Sequence, residues 1–203
     1  VLNYTSVTGL TDVTHLGIFT IAAFSNIPNL VLLAPTNKVE YFAMLDWSIE
    51  QQEHPVMILM PGNGVINDER EAEKDYSNII NKFKVEDEGS KVAILGLGDF
   101  YQIGEEVSKM VEEKLGFKPT LVNPRFASGV DKELLNDLKQ DHDLVITLED
   151  GILRGGFGES IASFYGDSDI KVKNYGLEKE FYDRYNPSQL LDELGITPEK
   201  IVK

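Results

Sequence analysis

Apolar runs alternate with helical periodicities along most of the chain, the pattern of an α/β protein on a mostly parallel sheet. Residues 1–4 read as a short strand, followed by a loop rich in Ser, Thr, Gly and Asp that runs to Thr14. Residues 17–25 read as a short helix with Phe19, Ala22, Ala23 and Phe24 on its buried side, broken by Pro28-Asn29. Leu30-Val31-Leu32-Leu33-Ala34 has the continuous apolar character of a strand covered on both faces. Pro35 ends it, and Thr36 or Asn37 caps the next helix. That helix, residues 38–52, places Val39, Phe42, Ala43, Leu45 and Ile49 broadly on one side. Pro55 stops it, and residues 56–60 form another buried strand.

An acidic, mixed-charge run at residues 68–75 reads as a solvated connector. Residues 82–86 and 91–95 look like two strands joined by a turn at Asp87-Glu88-Gly89-Ser90. The alternation then resumes with a helix from Asp99 or Gln102 to Leu115, closed by Gly116. Strands follow at 120–123, 144–148 and 170–175, with helices at 130–139 and 158–165 between them. Asn186-Pro187-Ser188-Gln189 carries a capping residue and a proline at the first helical position, opening a helix over 188–194. A last turn starts at Thr197-Pro198-Glu199. The expected domain boundary lies between Asn67 and Lys84.

Composition narrows the function. With 203 residues, 42% of them hydrophobic, the chain can bury a core without disulfides or metals. The longest clean apolar run, 30–34, is far too short to span a bilayer. A net charge of −15 repels phosphate backbones and anionic lipid, which argues against nucleic acid and membrane surfaces as partners. Cysteine is absent, which excludes thiolate catalysis and cysteine-based metal sites and fits a reducing, cytoplasmic compartment. The first residue is Val1 and already reads as strand, so the chain is expected to begin inside a fold.

Of the three histidines, His54 and His142 fall in polar connectors and read as solvated. His15 follows a polar loop after a strand and precedes a helix, where parallel sheets place ligand-binding loops. There an imidazole either transfers protons or plays a capping role. Gly96-Leu97-Gly98 lacks the third glycine of a dinucleotide fingerprint, since Tyr101 stands in its place, and reads as a tight strand–helix turn. Gly155-Gly156-Phe157-Gly158 precedes a helix and serves either anion binding or close packing against another chain. Glu149-Asp150 ends a strand, where it serves as an acid/base or metal pair or as structure, and with no second carboxylate cluster at metal spacing it reads as structural. Arg125 reads as a partner in a buried or interfacial ion pair. No metal site is assigned. Up to residue 69, Lys38 is the only Lys or Arg, so a phosphate near His15 would need help from elsewhere.

Several segments together resemble a known family. Thr14-His15-Leu16-Gly17-Ile18-Phe19, Ile27-Pro28-Asn29 and Ala34-Pro35-Thr36 are similar to the T-H-x-G-x-F, I-P-N and A-P-S run of 1-deoxy-D-xylulose-5-phosphate synthases. Leu121-Val122-Asn123-Pro124-Arg125-Phe126 with Asp131, Thr147-Leu148-Glu149-Asp150 with Gly155–Gly158, and Asn174-Tyr175-Gly176-Leu177 extend the match over essentially the whole chain. No single piece is specific, but the order and spacing identify the thiamine-diphosphate-dependent transketolase superfamily. The resemblance implies a partial three-layer α/β/α pyrimidine-binding domain at 1–80, followed by a transketolase C-terminal α/β domain with a mostly parallel sheet at 81–203. It implies a transferase that condenses decarboxylated pyruvate with an aldehyde, in the family glyceraldehyde-3-phosphate, on the route to isoprenoid, thiamine and pyridoxal precursors. Thiamine diphosphate and Mg²⁺ would serve the complete enzyme, with most of their site outside this chain and no cofactor contact assigned within it. The partners would be a second copy in a dimer or larger assembly, an N-terminal segment or partner subunit, and small-molecule substrates.

In this resemblance His15 matches the substrate-facing histidine, with Asp12 and Thr14 beside it as substrate-binding candidates. The departures are specific. The family's D-G before the histidine is Thr11-Asp12 here, with Asp12 as a shifted replacement for the aspartate, in a loop that looks shorter. The family's F-D becomes Phe19-Thr20. Its R-Y-P-R-G becomes Leu59-Met60-Pro61-Gly62-Asn63, and a further arginine becomes Val7. Without an arginine, each missing charge-assisted hydrogen bond to a substrate phosphate costs about 1.5–3 kcal/mol, which points to a different acceptor. The competing expectations are a non-catalytic assembly or partner-binding module on the same scaffold, or another transketolase or 2-oxoacid dehydrogenase β-like subunit.

Overall fold

The computed structural model describes residues 2–4, 7, 12–60, 66–68 and 70–203. Strands β1 (Leu2–Tyr4), β2 (Val31–Leu33) and β3 (Val56–Leu59) form a parallel sheet in the order β1-β3-β2. A 3₁₀ turn, Gly17–Phe19, leads into helix α1 (Thr20–Phe24), and α2 (Lys38–Glu50) connects β2 to β3. The rest of the chain forms a five-stranded sheet with the order β4-β6-β5-β7-β8. Its strands are β4 (Lys84–Asp87), β5 (Lys91–Gly96), β6 (Thr120–Asn123), β7 (His142–Ile152) and β8 (Lys171–Leu177). Helices α3 (Tyr101–Leu115), α4 (Lys132–Asp137) and α5 (Phe157–Phe164) alternate with these strands, and α6 (Pro187–Glu193) and α7 (Pro198–Ile201) follow. The sheet is parallel except for β4, which runs antiparallel to β6. Gly116, at φ 72°, ends α3 in the left-handed conformation that suits glycine.

Three expectations are corrected. The strands around Gly89 do not form a hairpin with each other, because β6 lies between them. The apolar run of β5 is central and takes parallel neighbours on both edges, while the charged, half-exposed β4 suits an edge. The intervening turn packs over the start of β6, where Gly89 N donates to Thr120 Oγ1 at 3.1 Å and a Cβ on Gly89 would lie 2.2 Å from Lys118 O.

The first helix buries Ile18 and Ile21, while Ala23 is exposed and Phe19, Ala22 and Phe24 are half-buried. The opening 3₁₀ turn has three residues per turn, which aligns positions 18 and 21 and shifts the buried face.

Helix α2 is rotated away from the expected face: Glu40, Met44, Trp47 and Ser48 are buried, while Val39, Phe42 and Ile49 are 42%, 48% and 66% exposed. Apolar side chains surround this helix, so polar anchors decide its rotation. Asn37 Oδ1 accepts from Glu40 N at 2.8 Å, and Glu40 Oε2 accepts from Thr36 N at 2.8 Å and Thr36 Oγ1 at 3.0 Å. Trp47 Nε1 donates to Ser77 Oγ at 3.0 Å on the connector.

The two sheets are joined by backbone bonds and shared cores. Leu33 bridges Phe126, Ala34 N donates to Arg125 O at 2.8 Å, and Ala127 N donates to Leu32 O at 2.8 Å. One apolar cluster runs from Val7, Leu16 and Ile18 to Ile94, Leu148 and Leu177. Another unites Ile21, Leu32 and Met57 with Leu95, Val122 and Phe157. Across the seam, Asn123 Nδ2 donates to Glu40 Oε1 at 3.1 Å, and Arg125 bonds Lys82 O and pairs with Glu73 at 3.4 Å. Arg125 thus sits in an ion pair, as expected of it, buried on its own side while Glu73 stays half exposed. No helix among the described residues is long and apolar enough to cross a membrane.

Candidate functional site

His15 lies past the carboxy-terminal end of β1, on an exposed turn that leads into the buried Leu16-Gly17-Ile18 segment. The turn is internally bonded. His15 N donates to Asp12 O at 3.0 Å, and Asp12 Oδ1 accepts from Thr14 N at 2.9 Å and from Thr14 Oγ1 at 2.6 Å. Thr14 Oγ1 also lies 2.8 Å from His15 Nδ1. A hydroxyl carries one proton, and here it goes to the carboxylate. The imidazole therefore donates Nδ1–H to Thr14 and leaves Nε2 as the basic nitrogen. The Thr14 bonds, followed by the charges of His15 and Arg184, hold the Asp12 carboxyl below the usual carboxylate range. The three residues singled out in the sequence are thus one hydrogen-bonded unit. The matched positions at 9–11 and 61–63 lie outside the described residues.

The second half of the chain supplies the walls of this turn. Val7 is completely buried; its N–H donates to Asp150 Oδ1 at 3.0 Å and its carbonyl accepts from Tyr185 Oη at 2.9 Å. Val13 N donates to Asp183 Oδ1 at 3.4 Å, and the rings of Phe19 and Phe181 meet edge-on at 5.6 Å. Sequence reasoning missed Asp183, Arg184 and Tyr185. The one available signal was Phe181, Tyr182 and Tyr185 crowded into an otherwise polar stretch.

Next to Asp150, Glu149 is fully buried and caps α5, accepting from Phe157 N and Gly158 N at 2.8 Å each. Burial pushes its carboxyl up to about 7, against the pull of those two N–H groups. The glycines before α5 therefore receive an anion from the protein itself: a Cβ on Gly156 would lie 2.5 Å from Glu149 Oε2.

Of the other histidines, His142 is corrected from a solvated connector to a buried first residue of β7, 7% exposed. Its Nδ1 faces Leu138 O at 3.2 Å and Asp141 Oδ1 at 2.6 Å, and its Nε2 faces Thr120 Oγ1 at 2.7 Å, so both nitrogens are satisfied internally. His54 is partly exposed at the far end of the sheet, with its main chain tied to the Gln51 side chain. Gly96 makes the expected tight turn, with Tyr101 Cα 2.7 Å from where a Cβ would stand.

Comparison with known proteins places the fold in a family. Residues 81–201 match the family model described as "Transketolase, C-terminal domain". The chain is 31% identical over 204 residues to a 1-deoxy-D-xylulose-5-phosphate synthase of Lachnoclostridium phytofermentans, covering 99% of this chain and 32% of that protein. It is 33% identical over 193 residues to the enzyme of the same name from Alkaliphilus oremlandii, covering 93% of this chain and 30% of that one. The chain therefore spans about a third of these relatives. Among solved structures it superposes on a split-gene transketolase, described as an inactive beta4 tetramer, with a TM-score of 0.80 and 25% identity, covering 98% of this chain and 63% of that one. A Pichia stipitis transketolase shares the fold with a TM-score of 0.73 at 16% identity, over 98% of this chain and 28% of that one.

Proposed function

Because the chain belongs to the transketolase family, through the C-terminal domain that its residues 81–201 match, we propose that it forms the carboxy-terminal part of a thiamine-diphosphate-dependent transferase resembling 1-deoxy-D-xylulose-5-phosphate synthase. Residues 1–80 then make the latter half of the pyrimidine-binding domain, and 81–203 the C-terminal domain. The reaction is condensation of decarboxylated pyruvate with an aldehyde acceptor. The observation that carries this reading is the Asp12–Thr14–His15 unit, which fixes the imidazole tautomer at the mouth of the sheet. With Nε2 free, neutral His15 accepts a proton from a substrate hydroxyl, and as imidazolium it returns one to a developing alkoxide.

In the complete enzyme, thiamine diphosphate with Mg²⁺ supplies the nucleophilic carbon for this chemistry. Among the described residues no three His, Asp or Glu side chains gather as metal ligands, so they do not fit the Mg²⁺–diphosphate end of the cofactor. The chain accordingly works with the portion of the family protein that it does not match, on the same polypeptide or on a partner subunit, in a dimer or larger assembly. The tetramer described for the split-gene relative supports such an assembly, and the description of that tetramer as inactive supports a chain that is silent alone. A cysteine-free, acidic chain fits a cytoplasmic location.

Val7 is buried and apolar, and Leu59 and Gly62 carry no charge, where the resemblance expects arginines. This favours an acceptor without a phosphate. An acceptor screen with pyruvate on the complete enzyme tests it. D-glyceraldehyde is expected to be used at least as well as its 3-phosphate; a preference for the phosphate of about a hundredfold, or about 2.7 kcal/mol, would contradict it. Calorimetry on the 203-residue chain alone is expected to show no thiamine diphosphate binding, and micromolar binding would place the cofactor site within it.

A further inference from the structure

We propose that Asp150 and Tyr185 are positioning residues for the His15 turn, acting through the main chain of Val7; the catalytic part of this inference rests on the function proposed above. Val7 is the one residue between β1 and the turn whose structure is described, and both of its peptide groups are held from the second half of the chain, by β7 and by the segment after β8. Its N–H goes to Asp150 Oδ1 at 3.0 Å, and its C=O receives Tyr185 Oη at 2.9 Å. Two side chains from elements 35 positions apart thus grip one buried backbone unit. Such bonds fix peptide planes, whereas side-chain packing alone leaves them room to rotate.

The grip continues along the turn. The segment that carries Tyr185 also places Asp183 Oδ1 3.4 Å from Val13 N, and sets the Phe181 ring against Phe19. Held points therefore lie on both sides of His15, at positions 7, 13 and 19. Among the described residues, His15 itself bonds within its own turn, to Asp12 and Thr14. Its placement relative to the body of the protein depends on these outside anchors. Burial, followed by the charge of Asp150, pushes the Tyr185 hydroxyl up to about 12, so it remains a donor throughout the pH range of enzyme action. The carboxy-terminal half thus sets where His15 stands, acting through the main chain.

Tyr185→Phe and Asp150→Ala each remove one side of the grip, while Asp150→Asn keeps an acceptor oxygen for the Val7 amide. In the full chain, Tyr185→Phe and Asp150→Ala are expected to speed hydrogen exchange at the Val7 and Val13 amides by about fivefold to tenfold, leaving the amides of β5 and β7 unchanged. In the complete enzyme both are expected to lower kcat by about tenfold with little change in the aldehyde KM, and Asp150→Asn to restore most of it. Unchanged exchange at Val7, or unchanged kcat despite faster exchange, would overturn the positioning role. A His15→Ala enzyme run alongside separates the two claims. Normal turnover in that enzyme removes the proposed function and the positioning role with it. Lowered turnover there beside normal turnover in Tyr185→Phe removes the positioning role alone.

Discussion

Residues 149 and 150 show how two adjacent carboxyl groups take different tasks from their surroundings. Asp150 reaches across to the main chain of Val7, while Glu149 turns inward and caps α5. Complete burial, with the charges of Glu159 and Asp150 adding to it, outweighs the two N–H bonds and lifts Glu149 to about 7. Its folded pKa thus lies above its unfolded value, so the folded state binds the proton more tightly. The stability this adds is fully present below the unfolded pKa, near 4.5, and is lost as pH rises through about 7. Urea unfolding at a series of pH values is expected to show the wild-type chain losing more stability than Glu149→Gln between pH 5 and pH 7.5. Parallel curves for the two proteins would mean that Glu149 titrates normally. The structural role expected of this pair was legible in the sequence, because no second carboxylate cluster stands at metal-ligand spacing from it. The groups it would bond were not legible, since Val7 lies 143 positions from Asp150.

Helix α2 is the element where pattern and packing diverge. Val39, Phe42 and Ile49 form a periodic apolar row that faces outward in this chain, and the helix turns Met44 and Trp47 inward instead. Hydrophobic periodicity cannot choose between two apolar faces, and here a carboxylate chose. Glu40 is nearly inaccessible and must satisfy its oxygens, which it does with Thr36 and Asn123. Met44→Ala is expected to cost about 2–5 kcal/mol in urea unfolding, as for a fully buried methionine. Phe42→Ser and Ile49→Ser are expected to stay within about 0.5 kcal/mol of wild type. The reverse order would mean that the helix is turned the other way. By contrast, β6 falls at the predicted residues, and α6 begins one residue ahead of prediction behind its expected Asn186 cap, because local signals were sufficient there. The pairing of β4 and β5 was not legible, since sequence marks strands more readily than their neighbours.

At the scale of the molecule, a parallel and a mostly parallel sheet share apolar cores, and the His15 turn that follows the first is held by the second half of the chain. His15, Thr14 and Asp12 were legible as a candidate site because they follow a strand in a polar loop and carry a family pattern. The supporting residues at 181–185 were not, since they lie about 170 positions downstream and act through backbone groups. The central claim is that His15 transfers protons in a complete transketolase-family enzyme. Its most direct test is the kcat of that enzyme, assembled from this chain and the family portion it does not match, with His15 changed to Ala. The account predicts a loss of about a hundredfold or more, with the unfolding midpoint of the chain unchanged because the side chain is exposed. A kcat equal to that of the unaltered enzyme would contradict it.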